Sequence, residues 1–73
     1  MEKIKGIFVL GYEQDGNFII YKIHNTQEAE TFTKYSKALI VSRIQNTFCP
    51  LENSAEWCVY RKLENCKFEK VDL

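Results

Sequence analysis

The stretch IKGIFVLGYEQDGNFIIYKI, residues 4–23, decides the fold because two apolar runs flank a turn signal. Asp15-Gly16 is a favoured pair for a two-residue type I′ turn, in which both central residues need a positive φ. Counting outward from this turn gives three pairs on one side of the ribbon: Tyr12 with Ile19, Leu10 with Tyr21, and Phe8 with Ile23. That side is wholly apolar or aromatic, so the pattern predicts a β-hairpin with one buried face.

The opposite face of this hairpin mixes apolar side chains with charged ones. Its apolar members are Ile7, Val9, Phe18 and Ile20. Either other parts of the chain cover this face or another molecule does, and self-coverage is favoured because a small domain rarely leaves so much apolar surface unused. In the second case, a homodimer joined through this face would bury the four side chains and enlarge the core.

A helix is expected to follow the hairpin. Asn25-Thr26-Gln27-Glu28 reads as a capping box, and the apolar spacing behind it predicts one helix from about Thr26 to about Gln45, packed on the apolar face of the hairpin. The β-rich stretch 39–41 leaves open a helix that stops near Lys37. The predicted buried face comprises Ala29, Phe32, Ser36, Leu39, Ile40, Arg43 and Ile44. Pro50 excludes continuation of the helix.

The last twenty residues allow two interpretations. Asn53-Ser54-Ala55-Glu56 resembles a capping box that would open a short helix as far as Cys66. The aromatic and β-branched residues 57–60 favour instead a second hairpin, formed by residues 56–63 and 68–73. Counting outward from the loop at 64–67 pairs Leu63 with Phe68, Lys62 with Glu69, Tyr60 with Val71 and Cys58 with Leu73. The same register sets the like charges of Arg61 and Lys70 against each other, which is unfavourable.

These elements predict an α+β fold in ββαββ order, with a small antiparallel sheet of about four strands and one helix packed on one face. The 73 residues, of which 45% are hydrophobic, suffice for one core, so residues 1–73 are expected to form a single domain. A chain this short has a core near the minimum size, which favours a partner subunit.

The charge balance and the cysteine count limit the partners and the cellular compartment that can be expected. Ten basic and ten acidic residues cancel, and no run of like charge is present to bind nucleic acid or anionic lipid by bulk field. No apolar run is long enough for a membrane span, so no membrane partner is expected. Three cysteines leave one unpaired, and no signal peptide opens the chain, so a cytoplasmic location with free thiols is expected.

The chemistry-bearing residues form no recognisable catalytic or metal motif. Cys49, Cys58, Cys66 and His24 are the only thiols and imidazole, and their spacing differs from that of paired zinc ligands. A converging Cys₃His site stays open, but packing as ordinary thiols is favoured. We therefore expect no enzyme activity, no cofactor and no metal site.

The function expected on these grounds is a small non-catalytic protein–protein interaction or regulatory module, such as an adaptor, inhibitor or accessory subunit, acting as a homodimer. The residues expected at its interaction surface are Ile7, Val9, Phe18, Ile20, Trp57, Tyr60 and Arg61, the last three because such residue types dominate binding hot spots. The alternative is a nucleic-acid-binding module that uses a basic and aromatic strand or helix surface. Its candidate residues are Lys34, Lys37, Arg61 and Lys62.

Overall fold

The computed structural model describes residues 6–65 and 67–71, which form a four-stranded antiparallel sheet with a helix on one face. The strands are β1 (Ile7–Gln14), β2 (Asn17–Ile20), β3 (Cys58–Lys62) and β4 (Phe68–Lys70), and the helix α1 is Tyr35–Phe48. A 3₁₀ turn at Glu52–Ser54 precedes β3, and the strand order in the sheet is β2-β1-β3-β4. The predicted α+β class and ββαββ order are confirmed.

The hairpin of β1 and β2 has the predicted register along its paired length. Tyr12 lies opposite Ile19, and the paired residues run from Gly11–Ile20 to Gln14–Asn17 at the turn. Asp15 has a φ of 53° and Gly16 a φ of 81°, so both turn residues have the positive φ of a type I′ turn. The turn dipeptide therefore fixed the register, as expected for a two-residue loop.

The predicted pairing of Phe8 with Ile23 is wrong. Beyond Tyr21 the chain turns away from β1, and Phe32 takes the place beside Phe8 through two backbone hydrogen bonds of 2.8 Å each. The Phe32 ring is buried there, whereas Ile23 is 41% exposed. The larger aromatic side chain fills the core position, so the shorter branched one is left outside.

The predicted start of the helix is also wrong. Asn25 has a φ of 64°, which is left-handed rather than the extended backbone of a helix cap. The Thr26 hydroxyl accepts a hydrogen bond from the Glu28 amide at 3.2 Å and donates one to the Ile23 carbonyl oxygen at 2.9 Å. These local bonds form a turn that competes with helix formation, and α1 begins nine residues later, at Tyr35.

The face of α1 that packs on the sheet differs from the predicted one. Ala38 and Ser42 are the buried residues of the helix, whereas the predicted members Ile40 and Ile44 are exposed. Side chains advance by about 100° per residue, so a small error in choosing the apolar stripe rotates the helix by a large angle. The helix ends at Phe48, two residues before Pro50.

Residues 58–70 form the second hairpin rather than a helix, but its register is shifted by one residue. Lys62 lies opposite Phe68 instead of Glu69, and Tyr60 lies opposite Lys70 instead of Val71. The predicted pair of Cys58 with Leu73 lies outside the described residues. The Leu63 amide donates to the Lys67 carbonyl oxygen at 2.7 Å, so the loop that closes the hairpin is shorter by one residue than the predicted loop. The shift pairs opposite charges at Arg61–Glu69, where the predicted register placed Lys70 against Arg61.

The main core lies between α1 and the sheet. Its buried members are Phe8, Leu10, Phe32, Ala38 and Val59. The helix contacts the two central strands, β1 and β3, so it crosses the middle of the sheet. The prediction that the helix packs on the apolar face of the first hairpin is confirmed for β1.

The other face of the sheet is concave and is covered by its own side chains. The rings of Phe18 on β2 and Phe68 on β4 stack with centroids 5.2 Å apart, although these are the two outer strands. In a flat sheet, strands separated by three spacings would be about 14 Å apart. The two rings therefore meet above the central strands, and the curl of the sheet favours this contact. Gly11 permits the curl, because the Phe18 ring occupies the space where a Cβ would lie.

Candidate interaction surface

The solvent side of α1 carries a stripe of large apolar side chains. Ile40 is 56% exposed, Ile44 47% and Phe48 76%. Residues four apart are neighbours on a helix surface, so these three side chains form one continuous stripe, which we call the α1 stripe. It extends over about 12 Å of the helix axis at 1.5 Å per residue.

The rotation of α1 that exposes this stripe is fixed by polar contacts on the opposite side. The Trp57 amide donates to Oδ1 of Asn46 at 2.7 Å, and Nδ2 of Asn46 donates to the Trp57 carbonyl oxygen at 3.1 Å. The Ser42 hydroxyl is buried and donates to the Leu39 carbonyl oxygen at 2.7 Å. The Ser42 bond lies within the helix and would turn with it, but turning the helix to bury the stripe would move Asn46 away from Trp57 and leave both Trp57 backbone groups unpaired.

Two cations flank the α1 stripe. Lys37 and Arg43 lie three residues before and after Ile40, so both are its neighbours on the helix surface. Both are exposed, and α1 contains no acidic residue. Within residues 6–65 and 67–71, the one ion pair joins Arg61 to Glu69 at 3.0 Å, so neither cation of the stripe is neutralised by a described carboxylate.

The concave face holds the first group of residues that the sequence predicted for an interface. Val9 is 1% exposed and Tyr60 is buried, so neither presents surface to a partner in the folded chain. Phe18 packs edge-to-face on Tyr60 at 4.7 Å, and both Phe18 and Ile20 are half-buried. Ile7 is exposed at the start of β1. Self-coverage therefore accounts for most of this face, as the sequence favoured.

Trp57 and Arg61 are already engaged within the chain. The Trp57 ring packs edge-to-face against Tyr12 at 5.0 Å and Tyr21 at 5.1 Å and is half-buried. The Arg61 guanidinium is hydrogen-bonded to Glu69. The Trp57 ring therefore packs on aromatic side chains of the first hairpin, and Arg61 links β3 to β4.

The residues proposed for nucleic-acid binding lie on two separate elements. Lys34 and Lys37 lie at the start of α1, whereas Arg61 and Lys62 lie at the end of β3. The three lysines are exposed, and the arginine is paired with Glu69. The helix therefore offers two exposed lysines, and the strand offers one exposed lysine and an arginine that is already paired.

Tyr60 lines a recess on the concave face. The recess has a volume of about 290 Å³ and is bordered by Glu13, Phe18, Tyr60, Lys67 and Phe68. Burial raises the pKa of the Tyr60 hydroxyl above its ordinary value of 10.0, and the nearby Glu13 and Cys58 add to this by disfavouring a negative phenolate. Tyr60 therefore stays neutral and acts here as a packed aromatic side chain.

The thiols and the imidazole are placed as follows. Cys49 is exposed at the C-terminal end of α1, Cys58 begins β3 as a half-buried free thiol, and His24 is exposed in the loop after β2. No group of three or more histidine, cysteine or acidic side chains suited to a metal occurs among the described residues. Cys66, the fourth member of the considered Cys₃His set, lies outside them.

The α1 stripe was missed from the sequence because its members were assigned to the core. Ile40 and Ile44 fit a helical apolar pattern that begins at Ala29, and Phe48 lay beyond the predicted helix end. A second pattern, comprising Tyr35, Ala38, Leu39 and Ser42, is the one that packs. The signal that could have separated them is the charge of Arg43 within the first pattern and of Lys37 beside it, because charges mark a solvent-facing side.

Within the described part of the chain, α1 is too short and too polar to cross a lipid bilayer, and no other helix qualifies. Comparison with protein-family models, with curated proteins and with solved structures gave no match.

Proposed function

We propose that this protein is a small non-catalytic protein–protein interaction module, an adaptor, inhibitor or accessory subunit, and that the α1 stripe is its docking surface. The observation that carries the proposal is the exposure of Ile40, Ile44 and Phe48 on one continuous stripe. Single exposed apolar side chains are normal on a protein surface, whereas contiguous ones rimmed by polar groups mark interaction sites.

The rigidity of the stripe supports the same proposal. The helix that carries it is held against β1 and β3 by its packed side and by the Asn46–Trp57 hydrogen bonds. A docking surface on a rigid element loses little conformational entropy on binding, which favours affinity. The proposal places the protein in the cytoplasm, where its thiols remain reduced, and cell fractionation tests that location.

The experiment is site-specific photocrosslinking in cells that naturally express the protein. A benzophenone amino acid replaces Phe48, the most exposed member of the stripe, and in a parallel sample replaces Asn17 at the hairpin turn. We expect discrete protein adducts from position 48 that disappear when Ile44→Ser is added. The matched control is Ile23→Ser, which removes an isoleucine of similar exposure outside the helix, 41% against 47% for Ile44. Adducts that are insensitive to Ile44→Ser, or equal from both positions, contradict the proposal.

Homodimerisation, expected from the sequence through the Ile7, Val9, Phe18 and Ile20 face, is a separate proposal. Ile7, Phe18 and Ile20 retain part of their exposure, while Val9 does not. Light scattering at high micromolar concentration tests it with Ile20→Lys. A monomer under these conditions, with the variant equally stable, removes the dimer and leaves the docking proposal for α1 intact.

The nucleic-acid alternative gains no specific support, because Arg61 is paired with Glu69 and the lysines are divided between two elements. A gel shift with single- and double-stranded DNA and RNA tests it. Salt-sensitive micromolar binding that is lost in Lys34→Glu or Lys62→Glu would favour this alternative.

A further inference from the structure

We infer that the α1 stripe binds an acidic amphipathic segment of a partner protein. This inference rests on the proposed function and names the chemistry of the partner. The apolar side chains of the stripe supply contact area, and the cations beside it supply the sign of charge that the partner must complement.

The surroundings of the stripe are basic, although the chain as a whole carries no net charge. The chain as a whole has equal numbers of basic and acidic residues, yet α1 contains Lys37 and Arg43 and no carboxylate. Lys34, the residue that precedes the helix, adds a third cation at the same end. The positive pole of the helix dipole lies at this N-terminal end, whereas the negative pole lies at the other end of the stripe, beside Phe48, so the positive potential is greatest at the Lys37 end.

Self-association through this surface is disfavoured by the same charges. A two-fold dimer brings the same patch of both copies together, so Lys37 and Arg43 of one copy would approach Lys37 and Arg43 of the other. No carboxylate of α1 is available to separate them. Like charges at an interface cost free energy, whereas carboxylates of a different protein would form pairs across it.

The dimensions of the stripe suggest the form of the partner. A length of about 12 Å corresponds to two turns of an opposing helix with apolar residues at positions i, i+3 or i+4, and i+7. Acidic residues beside that apolar row would lie against Lys37 and Arg43. A contact of this size is smaller than a standard stable interface, so micromolar, salt-sensitive affinity is expected.

The test is selection of random peptides of about 16 residues, long enough for four helical turns, displayed on phage. The bait is the full chain, with Ile44→Ser in solution as a counter-selection. We expect the enriched peptides to share a helical apolar row and a negative net charge. Selected peptides should lose at least about tenfold in affinity for Lys37→Glu/Arg43→Glu, equal to about 1.4 kcal/mol. A parallel selection on that double variant should enrich basic peptides. Lys62→Glu, on β3, is the control and should change neither selection.

The outcomes separate this inference from the proposed function. Enriched peptides with a helical apolar row but no charge bias overturn the acidic partner and leave the docking function standing. No enrichment over Ile44→Ser overturns the inference, while the photocrosslinking result decides the function independently. Binding to phosphatidylserine vesicles, lost in Ile44→Ser and without peptide enrichment, replaces the protein partner by a lipid surface. A dimer in sedimentation that Ile44→Ser abolishes replaces it by a second copy of the chain.

Discussion

Asn46 fastens the last turns of α1 to the backbone of Trp57, the residue that precedes β3, by accepting one hydrogen bond and donating another. A single side chain thereby satisfies both backbone polar groups of Trp57. The bond pair also sets the rotation of α1, because Asn46 must point toward the sheet. The position of the α1 stripe on the solvent side depends on this contact.

Asn46→Ala should lower the free energy of unfolding by about 2 kcal/mol, because the Trp57 amide and carbonyl lose their partners in a partly buried site. Trp57 is the only tryptophan, so its fluorescence in a urea titration reports the transition. Asn46→Asp keeps the acceptor for the Trp57 amide and should cost less. Thr47→Ala, at an exposed neighbouring position, is the control and should change little. Equal effects of Asn46→Ala and Thr47→Ala would contradict the assigned role.

Gly11→Ala should destabilise the protein by roughly 1–3 kcal/mol, the usual cost of overpacking. A Cβ at this position would lie 2.6 Å from the Phe18 ring and 2.9 Å from the Ile19 carbonyl oxygen. The backbone contact cannot be relieved by a side-chain rotation, so the strand pair itself must shift. Chemical denaturation measures the loss.

A double-mutant cycle with Phe18→Leu tests the cause of that loss. Removing the ring should reduce the cost of Gly11→Ala, because one of the two close contacts disappears. Strictly additive effects of the two substitutions would show that the ring does not occupy the space above Gly11.

Those parts of the fold that depend on local chemistry were predictable from the sequence. Asp15-Gly16 specifies one turn type and hence one register, and Pro50 limits the helix. The start of α1 was not predictable in this way, because the pairing of Phe32 with Phe8 is a tertiary contact between distant residues. That contact holds Phe32 in extended backbone and overrides the capping signal at Asn25.

The location of the α1 stripe was not predictable from the sequence. The sequence favoured self-coverage of the concave face and kept an interface there as the other reading, and the contacts of Phe18 with Tyr60 and Phe68 cover much of that face. The curl that brings these rings together depends on the whole sheet and has no local sequence signal. Ile40 and Ile44 became the exposed surface because the helix presents a different stripe to the core.

Lys34→Asp should stabilise the protein by about 0.5–1 kcal/mol through capping and the helix dipole. Lys34 has the extended backbone of an N-cap, with φ −120° and ψ 130°, but its side chain makes no capping hydrogen bond. An aspartate there can accept from the free amides of the first turn. Lys34→Gln removes the charge without supplying a good cap and should give a smaller gain. Thermal unfolding measures the difference, and equal gains for the two variants would exclude capping as the cause.

The free energy of unfolding of the wild type should fall more steeply with rising alkaline pH than that of Tyr60→Phe, which has no hydroxyl at this position. The pKa of Tyr60 is raised in the folded chain, so the unfolded state loses this proton first as the pH rises. The neutral Tyr60 hydroxyl stabilises the folded state by its full amount at a pH below the ordinary pKa of 10.0. This stabilisation is lost as the pH rises through the raised pKa of the folded chain. Urea titrations of the wild type and Tyr60→Phe at roughly pH 8 and above pH 10 measure it. Parallel pH dependences of the two proteins would contradict the raised pKa.

The contact between Phe18 and Phe68 has a consequence for how copies of this protein behave when crowded. It joins side chains of the two edge strands, and both edge strands are short, with four residues in β2 and three in β4. Long, flat, unpaired borders are the templates on which β-rich proteins polymerise. A curled sheet with edge strands this short gives an incoming strand little backbone to pair with, so we expect its geometry to disfavour fibre growth.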